Sequence, residues 1–287
     1  MLLRFVRHRG WLPLLALCLL VAGCDLGSGG PAGGGGGPTP IPGTPTPNPA
    51  LVATGTGSVT LGKTQEYRLG SFSATAVAAA TNGLVVAGTP NAIGTTALAY
   101  APFAGGSVKS LLKVTPAPDG TARGILHFAA AGDWAVYEQA TALGTSWELG
   151  AVQLSTAKAV IIDTATKAGG SALPATAFAT DGTDVAWAVP VAGQTNTVLR
   201  AFDLTTATPR TLLTIPFGIS DVLLANRLLY YRTAAFTNGQ NTSTSWLWWL
   251  TQPKPQQLDA KAAGNITLNS RYLAWDDANT VTVTLYD

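Results

Sequence analysis

Charge is scarce in this chain. Lysine, arginine, aspartate and glutamate make up 11% of its 287 residues, less than half the roughly 25% usual in soluble domains. Histidine occurs twice, at His8 and His127, and methionine once, at Met1. That excludes His-rich metal sites and most imidazole relays. Cysteine occurs only at Cys18 and Cys24, too few for a disulfide framework. No sustained 3.6-residue apolar period runs beyond residue 50, which argues against a helical bundle. What the chain has is apolar side chains, 47% of the total. That is enough for a large core and excludes disorder throughout.

The first residues read as a secretion signal. Arg4, Arg7 and Arg9 precede a 12-residue apolar stretch from Trp11 to Ala22, too short for a membrane-spanning helix of about 20 residues. It ends in Val21-Ala22-Gly23-Cys24, which resembles the bacterial lipobox: a branched apolar residue, two small ones, then the cysteine to be lipidated. The resemblance covers residues 1–24. It implies cleavage before Cys24 and a thioether-linked diacylglyceryl group on that residue. Several acyl chains give stable anchoring where one is marginal. The expectation is an extracytoplasmic lipoprotein anchored to a bacterial membrane or cell surface.

Without residues 1–23 the formal charge changes from +2 to −1, because three arginines leave with the signal. The charge then gives no support for a basic binding surface, and nucleic acid is not an expected partner. Cys24 becomes the sole cysteine, so stability must come from the fold itself. Residues 24–50 form the expected tether: nine glycines and seven prolines lie between Asp25 and Ala50. Gly33 to Gly37 is flexible, and Pro38 to Pro49 favours extended polyproline II.

From residue 51 to residue 287 the texture is that of short strands. Thr, Val, Ala, Leu and aromatics run in groups of four to eight, punctuated by Gly, Asn, Asp and Pro. A turn followed by an apolar strand recurs at Thr81 to Ala87, Ala131 to Tyr137, Asp181 to Trp187, Asn226 to Tyr231 and Ser270 to Trp275. The last positions of these units are spaced 50, 50, 44 and 44 residues apart. Each unit is preceded by a strand, as at Ala122 to Phe128, Ala175 to Ala179, Asp221 to Leu224 and Ile266 to Leu268. Each is followed by a further strand, starting near Ala97, Trp147, Val198, Trp246 and Val281. A fourth, Leu- or Ile-rich strand follows at Val108 to Val114, Ala159 to Asp163, Arg210 to Ile215 and Gln256 to Ala260.

Four strands per period, here termed A to D, imply an all-β fold: a β-propeller of four-stranded antiparallel blades, five in number. The segment Asp181 to Thr214, with Val-Ala-Trp, then Leu-Arg-Ala-Phe-Asp-Leu-Thr, then Arg-Thr-Leu-Leu-Thr, resembles blades of TolB-like propellers. The fifth repeat ends before a D strand. An N-terminal strand, Ser58 to Leu61 or Thr64 to Leu69, is expected to supply it and close the ring.

Motifs for chemistry are thin. Gly57 to Thr64 matches the phosphate-loop pattern, and Val160 to Asp163 resembles its acidic partner strand. The loop interior, Val59 to Leu61, reads as strand and no β-α alternation follows, so a turn between strands is expected and nucleotide binding is not. There is no G-x-S-x-G nucleophile elbow. His127 lies in a predicted inner strand, as a structural or channel-lining residue. A glycosidase would need two carboxylates about 5–9 Å apart. The candidates Asp133, Glu138, Glu148, Asp184, Asp276 and Asp277 sit in turns or loops without a family signature. Asp181 to Asp184 lacks the ligand number of a calcium loop. No cofactor or metal is expected.

Aromatics are the remaining clue to a ligand. Trp246, Trp248 and Trp249 share one C strand, and period 2 puts the first two on one face and Trp249 on the other. Tyr231 to Ser245 reads as the longest B–C loop, with Asn238 and Asn241 at its tip. Tyr231, Trp246, Trp248, Asn238 and Asn241 are therefore the candidate ligand contacts. The sequons at Asn241 and Asn265 are read as chance. The expectation is a non-enzymatic binding or scaffolding module at the cell envelope, with an envelope protein or glycan as partner. A carbohydrate-binding module and a five-bladed glycoside hydrolase are the alternatives.

Overall fold

The structure, a computed structural model, describes residues 69–286 apart from 70–71, 91–94, 168–173, 176, 238–239, 259–265, 269–272 and 277–282. Cys24, the tether, the phosphate-loop match, the closing strand, Asn238 and Asp277 thus lie outside the described residues.

The described chain folds as five antiparallel sheets, each a meander whose neighbours in space are neighbours in sequence. Blade 1 holds β1 (Phe72–Ala80), β2 (Gly83–Pro90), β3 (Ala97–Pro102) and β4 (Lys109–Lys113). Blade 2 holds β5 (Arg123–Ala131), β6 (Trp134–Thr141), β7 (Trp147–Gln153) and β8 (Ala159–Thr164). Blade 3 holds β9 (Ala177–Thr180), β10 (Asp184–Pro190), β11 (Thr197–Asp203) and β12 (Thr208–Ile215). Blade 4 holds β13 (Gly218–Ala225), β14 (Leu228–Thr237), β15 (Gln240–Trp249) and β16 (Gln256–Leu258). Blade 5 has three described strands, β17 (Ile266–Leu268), β18 (Leu273–Asp276) and β19 (Val283–Tyr286).

The first strands touch one another in succession, β1 to β5, β5 to β9, β9 to β13 and β13 to β17. They are therefore the inner strands, and the fourth strands are the outer edges. The second strands of blades 2 and 3 are buried on both faces, with Ala135 to Thr141 and Asp184 to Val189 buried throughout. This explains why they read as unbroken apolar runs rather than alternations.

The core lies in the seams between blades. Val85, Tyr100, Ile125 and Tyr137 fill the first seam. Trp147, Leu149, Trp187 and Phe202 fill the second. Leu199, Leu229, Tyr231 and Trp248 fill the third, and Leu228, Tyr230, Leu247 and Leu273 the fourth.

The A–B turns crowd together at one end of the inner strands. The Thr81 N–H donates to the Gly132 carbonyl at 3.4 Å. Gly132 and Gly182 take φ of 58° and 87°, and a Cβ on Gly182 would lie 2.9 Å from the Gly132 Cα. Only glycine meets both demands. In the middle of the inner strand β5, Leu126 and His127 are exposed.

Two sequence readings differ from the structure: Glu138, Glu148 and Asp184, expected in turns or loops, lie in β6, β7 and β10, and the long loop expected in blade 4 is paired strand. The Tyr231 to Ser245 segment is no long loop: β14 and β15 form a ten-residue hairpin paired from Leu228–Trp249 to Thr237–Gln240. Its Thr-, Ser- and Asn-rich composition resembles a loop, but threonine is β-branched and suits a paired strand. Asn241 therefore lies within β15, opposite Phe236.

Candidate functional site

The candidate ligand aromatics meet in the third seam. The Tyr231 and Trp246 rings stack 6.1 Å apart and 7° from parallel. Trp248 packs on the same cluster, and its indole N–H donates to the Gln252 carbonyl at 3.0 Å. Tyr231 is 2% and Trp248 7% exposed, while Trp249, on the opposite face, is 41% exposed. The period-2 assignment of faces therefore holds. Burial pushes the Tyr231 phenol above its ordinary range. Tyr231 and Trp248 serve the core, and Trp246 is partly buried against it.

The described candidate acids Asp133, Glu138, Glu148 and Asp184 are spread over different seams and turns, each with its own partners, and the side chain of Asp276 lies outside the described residues with Asp277. Glu138, on β6, is fully buried; Oε1 accepts the Ala175 N–H at 2.7 Å and Oε2 lies 3.2 Å from His127 Nδ1. His127 sits on β5 just after a bulge, with its side chain 66% exposed. The bond to Glu138 raises the His127 pKa against the opposing effect of desolvation. Glu148 accepts from Gln139 Nε2 at 2.8 Å and faces Arg123 at 4.0 Å. Asp133 ties its turn to the next through the Ser155 N–H at 3.0 Å.

Asp184 opens β10 and is fully buried. Arg210 approaches one oxygen at 3.0 Å and Arg227 the other at 3.1 Å. Desolvation nevertheless raises its pKa, against the pull of Arg210 and Arg227. Asp181 accepts the Thr183, Asp184 and Arg227 N–H groups, which is turn chemistry rather than calcium ligation. Among the described residues no group of three His, Cys, Asp or Glu side chains is placed to hold a metal.

The sequence reading missed an open groove of about 490 Å³ on the outer side of the second seam. Val160 and Ile161 of β8 form one wall, and Pro209, Arg210 and Thr211 of β12 the other. At its base Asp163 Oδ2 accepts the Trp187 indole N–H at 2.9 Å and Arg200 Nη1 at 2.8 Å. The signal was present in part. Val160-Ile161-Ile162 is an apolar run in an outermost strand, where one face should be polar, and Arg200 interrupts an otherwise apolar C strand.

No family model and no curated protein matches this chain. Solved structures do resemble it. The β-propeller domain of the Trilobed protease from Pyrococcus furiosus, described as having an open velcro topology, aligns with a TM-score of 0.50 and 10% identity. That alignment covers 76% of this chain and 70% of the other. One of two prolyl endopeptidases analysed for inter-domain dynamics aligns with a TM-score of 0.51 and 13% identity, over 71% of this chain and 32% of that one. This chain thus spans about a third of that enzyme's length. TolB from Acinetobacter baumannii overlaps at a TM-score of 0.40 and 15% identity, over 66% of this chain and 48% of that one. At such identities the first two likenesses establish fold, and together with the five meander sheets they make this chain a β-propeller.

Proposed function

We propose that the chain is an extracytoplasmic lipoprotein, anchored through Cys24, whose propeller binds or scaffolds at a bacterial envelope and does not catalyse. The observation supporting the non-catalytic part is the state of the carboxylates. Glu138 and Asp184 are fully buried and committed to neighbouring blades, so neither is free to protonate a leaving group or activate water. The anchoring part rests on the lipobox resemblance and the Gly/Pro-rich stretch behind it. A protein partner is favoured over a glycan because Tyr231 and Trp248 are buried in a seam and offer no stacking platform.

The test is expression of the full chain and its Cys24→Ser variant in a bacterium fed labelled palmitate. Label on the full chain that is lost in the variant is expected, together with loss from the membrane fraction. An unlabelled full chain overturns the anchor. Release of reducing ends from envelope polysaccharide by the purified full chain, abolished in Glu138→Gln or Asp184→Asn, overturns the non-catalytic reading.

A further inference from the structure

Among the described residues the four outermost strands β4, β8, β12 and β16 each have one edge with no strand paired to it. Exposed edges invite pairing with another chain, and lysine, proline or extreme shortness blunts them. β4 begins and ends in Lys109 and Lys113. β12 carries Pro209 and Arg210. β16 is three residues long and follows Lys254 and Pro255. β8 reads Ala159-Val160-Ile161-Ile162-Asp163-Thr164, with Ile161 49% exposed; no lysine or proline lies within it, although Lys158 directly precedes it and a bulge falls at Ile162. Its Asp163 is turned inward and already bonded to Trp187 and Arg200.

The edge has free backbone groups. The Gln153 N–H donates to the Lys158 carbonyl at 2.9 Å, and Val160 pairs with Ala151. Antiparallel alternation then leaves the N–H and C=O of Ala159 and Ile161 pointing away from β7. Lys167, Arg200 and Arg210 line the groove beside this edge; Arg200 is paired with Asp163 and Arg210 with Asp184, so Lys167 supplies its uncompensated charge. The Lys167 ammonium has no ion pair among the described residues, and Arg200 Nε is buried without a hydrogen-bond acceptor.

We propose that β8 is a docking edge for an extended acidic segment of a partner protein, which adds a fifth strand to blade 2 and points alternate carboxylates into the groove at Lys167, Arg200 and Arg210. A strand about 4.8 Å beyond β8 places every second side chain on the groove face. Backbone pairing supplies affinity, and the alternate side chains supply selectivity. This names the partner class of the binding module proposed above and rests on that reading.

The probe is an eight-residue capped peptide of alternating valine and glutamate, fluorescently labelled, with its valine–lysine counterpart as control. Both are titrated at low salt against the full chain in detergent micelles. The glutamate peptide is expected to bind at least about tenfold more tightly than the lysine peptide. Ile161→Pro removes one outward N–H without touching a β7 pairing group, and binding should weaken by about tenfold or more. Lys167→Glu, at an unpaired side chain, should weaken it several-fold and leave the unfolding midpoint unchanged. Equal affinity for the two peptides, no binding of either, or full binding by a folded Ile161→Pro variant overturns the proposal. So does a concentration-dependent dimer abolished by Ile161→Pro, which would make a second copy of this chain the occupant. These outcomes are separate from the palmitate and polysaccharide readouts, so the docking edge can fail while the anchored, non-catalytic reading stands.

Discussion

Between blades 2 and 3 the polar links end on two carboxylates of the earlier blade. Glu138 accepts the Ala175 N–H near the inner strands, and Asp163 accepts the Trp187 indole and the Arg200 guanidinium on the outer side. Between blades 3 and 4 the acceptors again belong to the earlier blade, but the described donors reduce to one residue. Arg227 donates its backbone N–H to Asp181, and its guanidinium forms ion pairs with Asp184 at 3.1 Å and Asp203 at 3.7 Å. The second seam is pinned at two places by three residues, and the third at its turn end by one. The first arrangement tolerates loss of a donor, and its Asp163 pin forms the base of the groove on the outer side of the seam. The second concentrates the risk, and it does so at a strained residue, since Arg227 has φ of 62°.

That contrast is broken most severely at Trp187. It is 1% exposed in the middle of the second seam, and Trp187→Ala should cost about 3–5 kcal/mol in chemical denaturation. Trp187→Phe keeps most of the packing and strips one donor from Asp163, so about 1–3 kcal/mol is expected. If both variants lose the same amount, the indole bond rather than the ring holds the seam.

The next largest effect belongs to the turns. A Cβ on Gly182 would meet the Ala131 carbonyl oxygen at 2.8 Å and the Gly132 Cα at 2.9 Å, on a backbone at φ 87°. Gly182→Ala should therefore cost about 2–3 kcal/mol, strain and overlap together. Gly193 has φ of 67° and open space around its Cβ position. Gly193→Ala should show the strain alone, about 1 kcal/mol. The difference between the two thermal midpoints measures how tightly blades 2 and 3 meet at their turns.

Much of this architecture is legible in the sequence because Gly, Asn and Asp punctuate it. The strand expected at Ala159 to Asp163 spans Ala159–Thr164, and that at Arg210 to Ile215 spans Thr208–Ile215. The β14–β15 hairpin was hidden because Thr237 to Ser245 has loop composition, and only pairing against Leu228–Thr237 makes it strand. The groove was hidden for another reason. Val160 and Arg210 are fifty residues apart, and nothing local says that the D strands of successive blades face each other across a gap. Glu138 was not legible: it is expected in a turn or loop, whereas its burial within β6 and its acceptor role toward Ala175 depend on strand pairing and on the neighbouring blade.

A smaller effect tests the concentrated seam. Arg227→Ala removes every side-chain contact and keeps an unfavourable φ, while Arg227→Gly removes the same contacts and relieves the backbone. The alanine variant should lose about 1–2 kcal/mol and the glycine variant about 1 kcal/mol less. Hydrogen exchange should quicken at the turn between β13 and β14 in both. Equal protection in parent and alanine variant would mean that the third seam is held by Tyr231 and its apolar neighbours alone.

The smallest effect comes from the inner pin of the second seam, and its sign follows from the His127–Glu138 bond. The folded His127 pKa is raised above the unfolded value, so its stabilisation is complete below that unfolded value. It is lost as pH rises through the higher folded one. The thermal midpoint should therefore fall slightly from mildly acidic to mildly basic pH, and His127→Gln should flatten that fall. Because the His127 side chain is 66% exposed, water screens the pair and the change in midpoint is small. The titration itself is the sharper readout. His8, the only other histidine, lies in the segment that the proposed cleavage before Cys24 removes, so the imidazole NMR titration reads His127. Glu138→Gln leaves an oxygen for the Ala175 N–H but removes the charge, so the His127 midpoint should move down toward the ordinary histidine value. A midpoint that stays in place would mean that the imidazole is solvated apart from Glu138, and that the inner pin consists of the Ala175 bond alone.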